Sequence, residues 1–207
     1  MISRERTIEQ SMRMFVAQGI KQVRMDDIAH QLGMSKRTLY ELFKDKEELL
    51  DLAVTYYFDQ YRAKSVKLAQ QATNTLETLF LVTNNYLKNS GTIIRLINDL
   101  QQHYPKIHKR VIQHEQKLNR DDLYKMLEDG MEQGLFLKDL NIPLVITMLY
   151  YTTAAMTEHK QEILLKGISQ RQIFMYLVSN FFRGISTIKG IELIDKYLEE
   201  MKAEKEK

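Results

Sequence analysis

The chain contains only two prolines and eight glycines in 207 residues. Sheet-rich folds need many tight turns, and these two residue types supply the backbone conformations that turns require. Their scarcity therefore argues against an all-β fold and predicts a mostly helical one. The hydrophobic fraction of 44% and the charged fraction of 28% are those of an ordinary soluble globular protein.

The composition also limits the compartment and the chemistry. The chain has no cysteine, which excludes disulfides, thiolate metal ligands and cysteine nucleophiles, and suits a reducing cytosol. Residues 1–10 are charged and lack the apolar core of a signal peptide, so a cytoplasmic protein is predicted. Residues 140–157 are 18 uncharged residues, the lower length limit of a membrane span, but only 12 of them are apolar. A buried helix is the favoured interpretation of this stretch.

The first 48 residues are expected to contain three short helices. The apolar residues Ile8, Met12 and Phe15 share one helix face, and Gly19 can end that helix. The second helix is predicted near 26–32 and the third from a Ser35 cap to about residue 43. A fourth begins at a capping box, with Asp at 45 and Glu at 48.

The rest of the chain is expected to form long helices, which brings the total to about nine or ten. They are predicted near 75–89, 92–102, 105–133, 142–159 and 169–188, with the last from 191 onward. The predicted breaks between them are Gly91, Pro105, Gly134, Asn141 with Pro143, Gly167 with Ser169, and Gly190. The predicted domains are 1–48 and 49–207, joined by the continuous fourth helix.

Residues 27–43, with the sequence DIAHQLGMSKRTLYELF, have the pattern of a helix–turn–helix. Ala29 is small, which lets two helices approach closely, and Gly33 suits the turn. The second helix should direct Lys36, Arg37, Thr38 and Tyr40 to solvent at its N-terminal end. Its N-terminus carries partial positive charge and free N–H groups that suit phosphate, and such a helix fits the major groove of DNA.

The local charge agrees with this interpretation. Residues 35–46 have a net charge of +2, out of +3 for the whole chain. Charge alone would leave an ordinary solvated helix face as the better explanation. The spacing of the small, glycine and leucine residues is what favours DNA binding.

The run from Gly33 to Leu49, GMSKRTLYELFKDKEEL, resembles the signature of the TetR family of ligand-controlled bacterial transcription regulators. Upstream, Phe15, Gly19, Ile28 and Ala29 also fall at family positions. The resemblance covers about residues 4–52 and implies an all-α protein. Its N-terminal three-helix helix–turn–helix DNA-binding domain would be joined to a C-terminal helical ligand-binding and dimerisation domain.

The resemblance also implies which residues contact double-stranded operator DNA. The expected set is Arg24, Ser35, Lys36, Arg37, Thr38, Tyr40, Lys44 and Lys46. Within it, Lys36 and Arg37 would reach base edges, with Arg37 reading a guanine. Tyr40 and Lys46 would contact phosphate. Arg24 departs from the family, which often has a Thr or Ser at the start of the second helix, so a helix cap is expected to be lost there.

A homodimer is expected, because one three-helix head contacts few base pairs. The two longest uncharged stretches, 140–157 and 172–182, predict the interface. The interface candidates are Leu144, Met148, Ala155, Phe174, Leu177, Val178, Phe181, Phe182 and Ile185. Small-molecule effector candidates, from the helices over 48–135, are Thr83, Asn84, Tyr86, Asn98, His103, Tyr104 and Tyr124.

No catalytic or metal motif is present. The histidines form no pair at helical spacing, and the sequence lacks GxSxG, phosphate-loop, Rossmann and HExxH patterns. An enzyme, a metal and a cofactor are therefore not predicted. The predicted function is a ligand-responsive transcriptional regulator, a repressor released from its operator by a small molecule. The alternative is a helical ligand- or partner-binding module without operator recognition, against which Arg37 and Tyr40 argue.

Overall fold

The computed structural model describes residues 3–158 and 168–203. These residues form nine α-helices and no strand, as the all-α prediction requires. The helices are α1 (Arg4–Gln18), α2 (Met25–Gln31), α3 (Lys36–Leu42), α4 (Lys46–Ala69), α5 (Thr75–His103), α6 (Pro105–Glu132), α7 (Ile142–Glu158), α8 (Gln170–Gly184) and α9 (Ile188–Ala203). No helix within these ranges is long and apolar enough to cross a membrane.

The predicted break at Gly91 is wrong. Helix α5 runs through this residue without interruption from Thr75 to His103. A glycine inside a helix costs only about 1 kcal/mol relative to alanine, so packing of the flanking turns outweighs it. Leu96 and Leu100 supply that packing on the C-terminal side, since both are buried.

The predicted helix over 169–188 ends early, at Gly184, because residues 185–187 bond to another loop. The Leu137 N–H donates to the Ile185 carbonyl (3.0 Å), and the Thr187 N–H donates to the Leu135 carbonyl (2.9 Å). These bonds join the α8–α9 connection to the α6–α7 connection. Gly190, predicted as a break, lies inside α9. Gly167, predicted to separate α7 from α8, lies outside the described residues.

The chain divides into two compact units. The first comprises the chain up to Lys67 together with Asn85–Gln116, and the second comprises Leu68–Asn84 together with the chain from Lys117 onward. These units do not follow the predicted division at residue 48, since α4, α5 and α6 each contribute residues to both. The functional boundary at residue 48 remains a prediction.

The core of the first unit is built from the three N-terminal helices and from α4, α5 and α6. Its fully buried side chains include Ile20, Val23, Ile28, Leu39, Leu49, Leu50, Ala53, Val54 and Leu100. The helix–turn–helix contributes apolar side chains to this core. Ile28, Ala29, Leu39 and Phe43 are buried, whereas Leu32 and Leu42 are only partly buried against them.

The second unit has an aromatic core. Phe136 and Phe182 are fully buried with ring centroids 5.9 Å apart, and Phe80 packs against Tyr197 at 5.4 Å. The Asn74 side-chain amide donates to the Tyr197 hydroxyl (2.8 Å), which ties the start of α5 to α9. This unit thus combines the loop pairing at 135–137 with aromatic packing between distant helices.

Candidate nucleic-acid interface

The turn between α2 and α3 is built from backbone bonds and one glycine. Gly33 has a φ of +64°, which an L side chain rarely adopts. The Gly33 N–H donates to the His30 carbonyl (3.1 Å), and the Met34 N–H donates to the Ala29 carbonyl (3.0 Å). These bonds end α2 and direct the chain into α3 within a few residues, as the helix–turn–helix pattern predicts.

Helix α3 starts at Ser35, which is its N-cap. The Ser35 hydroxyl oxygen accepts from the Thr38 N–H (3.0 Å) and lies 2.8 Å from the Thr38 hydroxyl. This cap satisfies one of the donors left free at a helix start and stabilises a helix of only seven residues. The Ser35 side chain is therefore structural in the free protein, and its contact with DNA remains a prediction.

One face of α3 is buried and the other is open to solvent. Leu39 is fully buried, and Phe43, just past the helix end, is 1% exposed. The four side chains predicted to face DNA, Lys36, Arg37, Thr38 and Tyr40, are all exposed. Tyr40 is a large aromatic ring with 45% of its surface accessible. The anchoring of Leu39 holds these four side chains outward on a rigid helix.

Carboxylates pair with both basic side chains at the start of α3. Lys36 Nζ lies 2.8 Å from Asp26 Oδ1 in α2, and Arg37 Nε donates to Glu41 Oε1 (3.0 Å) one turn along. The hydrogen bond and charge of Asp26 raise the pKa of Lys36 above its ordinary value. Both pairs are exposed, and exposed pairs are weak, so acceptor atoms of DNA can replace these carboxylates at little cost.

The start of α2 is capped without a hydroxyl. Arg24 is the N-cap residue, and its side chain makes no capping bond. The Asp27 carboxylate instead accepts from the Arg24 N–H (2.8 Å). A side chain of α2 itself therefore replaces part of the hydrogen bonding that a Thr or Ser cap would supply. Arg24 stays exposed, which leaves its guanidinium available to a phosphate.

The start of α4 forms one of the two hydrogen bonds of the predicted capping box, and the second has a different donor. The Asp45 carboxylate accepts from the Glu48 N–H (2.8 Å), but the Glu48 carboxylate accepts from Lys44 rather than from Asp45 (2.8 Å). Lys44 itself is exposed.

Sequence reasoning missed Arg4, whose guanidinium pairs with Glu48 (3.1 Å) and stacks over the Phe43 ring. No local pattern signals this contact, because the partners are 44 residues apart.

Lys46, the first residue of α4, points inward. Its Nζ donates to the Ile20 carbonyl (2.6 Å) and lies 5.9 Å from the Phe15 ring centroid. Burial lowers the pKa of this ammonium below its ordinary value. An ammonium has three donors, so the bond to Ile20 leaves two. The phosphate contact expected of Lys46 remains a prediction.

The effector candidates are divided between the two units. Thr83, Asn84 and Tyr124 belong to the second unit, whereas Tyr86, Asn98, His103 and Tyr104 belong to the first. Asn98 and Tyr124 are exposed and the others are half-buried. Burial raises the pKa of the Tyr86 and Tyr104 hydroxyls. In the second unit, the Asn84 amide oxygen accepts from Arg171 (2.6 Å), a partner that the sequence did not indicate.

The interface candidates divide by burial. Leu144 and Met148 on α7 are more than half exposed, whereas Val178 and Phe182 on α8 are buried inside their own unit. The last two therefore have almost no surface left for a partner subunit. Phe174, Leu177, Phe181 and Ile185 are partly buried. The side chain of Ala155 lies outside the described part of the chain.

Two exposed tyrosines were missed by sequence reasoning. Tyr151 on α7 and Tyr176 on α8 have 75% and 74% of their surfaces accessible. Residues 144, 148 and 151 follow helical spacing on α7, which is the signal that could have selected Tyr151. Among the residues described, no group of three histidine, aspartate or glutamate side chains could hold a metal ion.

Comparison with known proteins agrees with this geometry. Residues 8–53 match the family model described as bacterial regulatory proteins, tetR family. The transcriptional repressor KstR2 of Mycobacterium tuberculosis is 25% identical over 150 residues, which cover 70% of this chain and 75% of the relative.

Two solved structures have a similar fold. The ketosteroid regulator KstR2 of Mycobacterium tuberculosis has a TM-score of 0.56 at 22% identity, over 89% of this chain and 95% of that one. A regulator from Saccharomonospora viridis, solved with choline, has a TM-score of 0.69 at 19% identity, over 89% of this chain and 97% of that one.

The matched residues contain the whole helix–turn–helix, including α2, its turn and α3. Regulators of this family bind operator DNA as dimers and respond to small-molecule ligands. Such a protein needs an exposed helix to enter the major groove of DNA, and α3 has an exposed basic face. Over residues 8–53 the chain is therefore similar to the tetR family of bacterial regulatory proteins, and it shares its fold with solved transcriptional regulators.

Proposed function

We propose that the protein is a repressor whose free dimer holds an operator and leaves it when a small molecule binds. The observation that carries this proposal is the outward face of α3, where Lys36, Arg37, Thr38 and Tyr40 are exposed over a buried Leu39. Two such helices, about 34 Å apart, would enter successive major grooves. The sign of regulation follows the similar protein KstR2, which is named a repressor.

Each predicted DNA contact has its own role in this proposal. Arg37 reads a guanine, since its planar fork matches the O6 and N7 acceptors, and Lys36 reaches a neighbouring base edge. Thr38, Tyr40 and Lys44 contact phosphates, which position the head without reading sequence. Arg24 contacts a phosphate at the start of α2. Ser35 keeps the α3 cap in place, and Lys46 can add a phosphate contact with its remaining donors.

Dimerisation is assigned to α7 and α8. Leu144, Met148 and Tyr151 form an accessible apolar stripe on α7, and Tyr176 is accessible on α8. The partly buried Phe174, Leu177, Phe181 and Ile185 would border that surface. Burial of such apolar surface against a second subunit would stabilise a dimer. The dimer acts in the cytoplasm, where bacterial operator DNA lies.

The effector would act by favouring one of two arrangements of the protein. Helix α4 starts directly beside the head at Lys46 and continues to Ala69, so a ligand in the larger helical region can bias its position. The required difference in affinity between the two arrangements is about 1–3 kcal/mol. In the first unit, the half-buried Tyr86, His103 and Tyr104 remain proposed ligand contacts, and in the second unit Thr83 and Asn84 do. The names of the similar structures mention a ketosteroid and choline, which share no chemical class.

Fluorescence anisotropy with labelled DNA from upstream of the protein's own gene tests the proposal. Wild type should bind this DNA more tightly than a scrambled duplex at physiological salt. Arg37→Ala with Tyr40→Phe should abolish that preference while leaving weak non-specific binding, because Lys44 and Arg24 remain. Arg95→Ala is the control, since Arg95 is an exposed arginine on α5, outside the head. Equal binding of both duplexes by wild type would overturn the operator assignment.

A further inference from the structure

The peptide groups of Ile20 are held from both sides by opposite charges. Ile20 is fully buried in the turn that follows α1. Its N–H donates to Asp99 Oδ2 on α5 (3.2 Å), and its carbonyl accepts from Lys46 Nζ on α4 (2.6 Å). All three residues belong to the first unit. We call this arrangement the Ile20 clamp.

The end of α1 explains why Ile20 needs these partners. Gly19 closes the helix with a φ of +89°, and its own N–H donates to the Phe15 carbonyl (3.0 Å). The next N–H, that of Ile20, is then turned out of the helix into a buried position. A buried N–H without a partner destabilises the folded state, so an acceptor is required there. Asp99 supplies it from a residue 79 positions away in the chain.

The two charged side chains hold the two successive peptide groups that flank the Ile20 Cα. A carboxylate at the N–H side and an ammonium at the carbonyl side both favour the orientation of the peptide groups between them. The clamp therefore has a defined geometry that a single neutral hydrogen bond would not impose. Asp99 is half-buried, and Lys46 is also partly buried, so water competes only weakly for either bond.

The clamp lies close to the reading helices in the chain. Four residues after Ile20, Arg24 begins α2, and the α2 turn leads directly to α3. Val23, between the clamp and α2, is fully buried, which leaves this connection little freedom. The position of the Ile20 backbone therefore constrains where α2 and α3 lie relative to α4 and α5.

We infer that Asp99 is a positioning residue for DNA recognition, which acts through the Ile20 N–H to set the placement of α3. The inference rests on the proposed function, because the reading of an operator is what the placement serves. Helix α5 then contacts the turn before α2 directly, through the bond from the Ile20 N–H to Asp99, while α4 contacts the same turn through the bond from Lys46 to the Ile20 carbonyl. A movement of α5 would thus reach the reading helices through this hydrogen bond, in addition to the core that α5 shares with them.

Three variants test the assignment. Asp99→Ala removes the acceptor, and Asp99→Asn keeps an acceptor oxygen of nearly the same geometry. Asp121→Ala, an exposed aspartate on α6 in the second unit, controls for the loss of one negative charge. If Asp99→Ala does not fold, Asp99→Leu, which has no acceptor but a larger side chain, takes its place. Binding to the protein's own upstream DNA and to a scrambled duplex is measured well below each melting temperature.

The expected result is a selective loss of specificity. Asp99→Ala should weaken binding to the upstream DNA about tenfold, comparable to one hydrogen bond to a charged group. Binding to the scrambled duplex should hardly change, because the charges of the head remain. Asp99→Asn should restore most of the preference, and Asp121→Ala should resemble wild type. By NMR, hydrogen exchange of the Ile20 amide should accelerate in Asp99→Ala and not in the control.

The opposite results are equally clear. An unchanged preference in Asp99→Ala, or an unchanged exchange rate of the Ile20 amide, would overturn the inference. Equal losses on both duplexes would also overturn it, because that is the effect of a smaller folded fraction. A wild-type protein that shows no preference for its upstream DNA would contradict the proposed function instead. The exchange measurement would still decide whether Asp99 holds the Ile20 amide.

Discussion

Lys36 at the start of α3 and Asp26 in the first turn of α2 form an ion pair, with Nζ 2.8 Å from Oδ1 and 3.1 Å from Oδ2. The pair joins the two helices of the DNA-binding motif at the edge that would face a phosphate backbone. The hydrogen bond and charge of this carboxylate raise the pKa of Lys36 above its ordinary value. The same carboxylate repels phosphate, so the pair opposes DNA binding in the free protein.

Removal of that carboxylate should therefore strengthen DNA binding. Asp26→Asn frees the Lys36 ammonium and removes one negative charge per subunit from the interface. The expected gain in affinity is about 2- to 5-fold per head at low salt, as for a screened surface charge, and it should shrink as salt is added. Anisotropy titrations at two salt concentrations measure it. Asp121→Asn is the matched control, and a loss of affinity in Asp26→Asn would mean that the pair orients Lys36 for DNA.

The salt dependence of the binding constant measures the number of DNA phosphates that the protein neutralises. Each phosphate neutralised on B-DNA contributes about 0.9 to the slope of log K against log salt concentration. Lys44→Gln removes one proposed contact per subunit, so the slope of the dimer should fall by about 2. Lys125→Gln, an exposed lysine of α6 in the second unit, should leave the slope unchanged. An unaltered slope in Lys44→Gln would contradict the proposed contact between Lys44 and a phosphate.

A charge on the apolar stripe of α7 should prevent dimerisation. Met148 is 53% exposed, and an aspartate there would be desolvated if a second subunit covered the stripe. Sedimentation at micromolar concentration should show a monomer for Met148→Asp and a dimer for wild type. Ile188→Asp, which changes a 77% exposed residue at the start of α9, should remain dimeric. A dimeric Met148→Asp would place the interface elsewhere.

The DNA-binding head could be predicted from the sequence because its determinants are local. The Ser35 cap, the Gly33 turn and the burial of Leu39 all lie within a few residues of one another. The Ile20 clamp could not be predicted, since Lys46 and Asp99 are 26 and 79 residues from Ile20. Helical spacing places an apolar residue on a face, but it does not say whether a neighbouring helix or a second subunit covers that face.

The interface candidates show the consequence of that ambiguity. Val178 and Phe182 follow the same apolar pattern as their neighbours on α8, yet both are buried in their own unit. The effector candidates rest on residue type within the helices over 48–135 that the resemblance implies, and the structure divides them between the two units. Gly91 and Gly190 were both expected to end helices, because the sequence does not show the packing that keeps a glycine inside one.

The same two glycines should respond oppositely to alanine. A Cβ at Gly190 would overlap the Leu135 carbonyl oxygen, which is backbone and cannot move aside, so Gly190→Ala should destabilise the protein by about 1–3 kcal/mol. A Cβ at Gly91 meets nothing within 4 Å, so Gly91→Ala should stabilise it by about 0.5–1 kcal/mol. Chemical denaturation measures both changes. A stabilised Gly190→Ala would contradict the close approach of α9 to the 135–137 loop.

Acid should weaken the cap at the start of α5. The Thr73 hydroxyl and the Thr73 N–H both donate to the Glu77 carboxylate (2.6 and 2.7 Å), and they lower its pKa below the ordinary value of 4.5. A carboxyl whose pKa is lower in the folded state stabilises the fold above pH 4.5, and this contribution is lost as pH falls through the folded-state value.

Glu77→Gln should therefore melt at a lower temperature than wild type at pH 7, and the difference should narrow as the pH falls below 4.5. Melting followed by circular dichroism from pH 7 to pH 3 gives the comparison. Glu128→Gln, an exposed glutamate on α6, is the control and should follow wild type throughout. A melting difference that stays constant across this range would mean that Glu77 stabilises α5 through its size or its backbone conformation rather than through its charge.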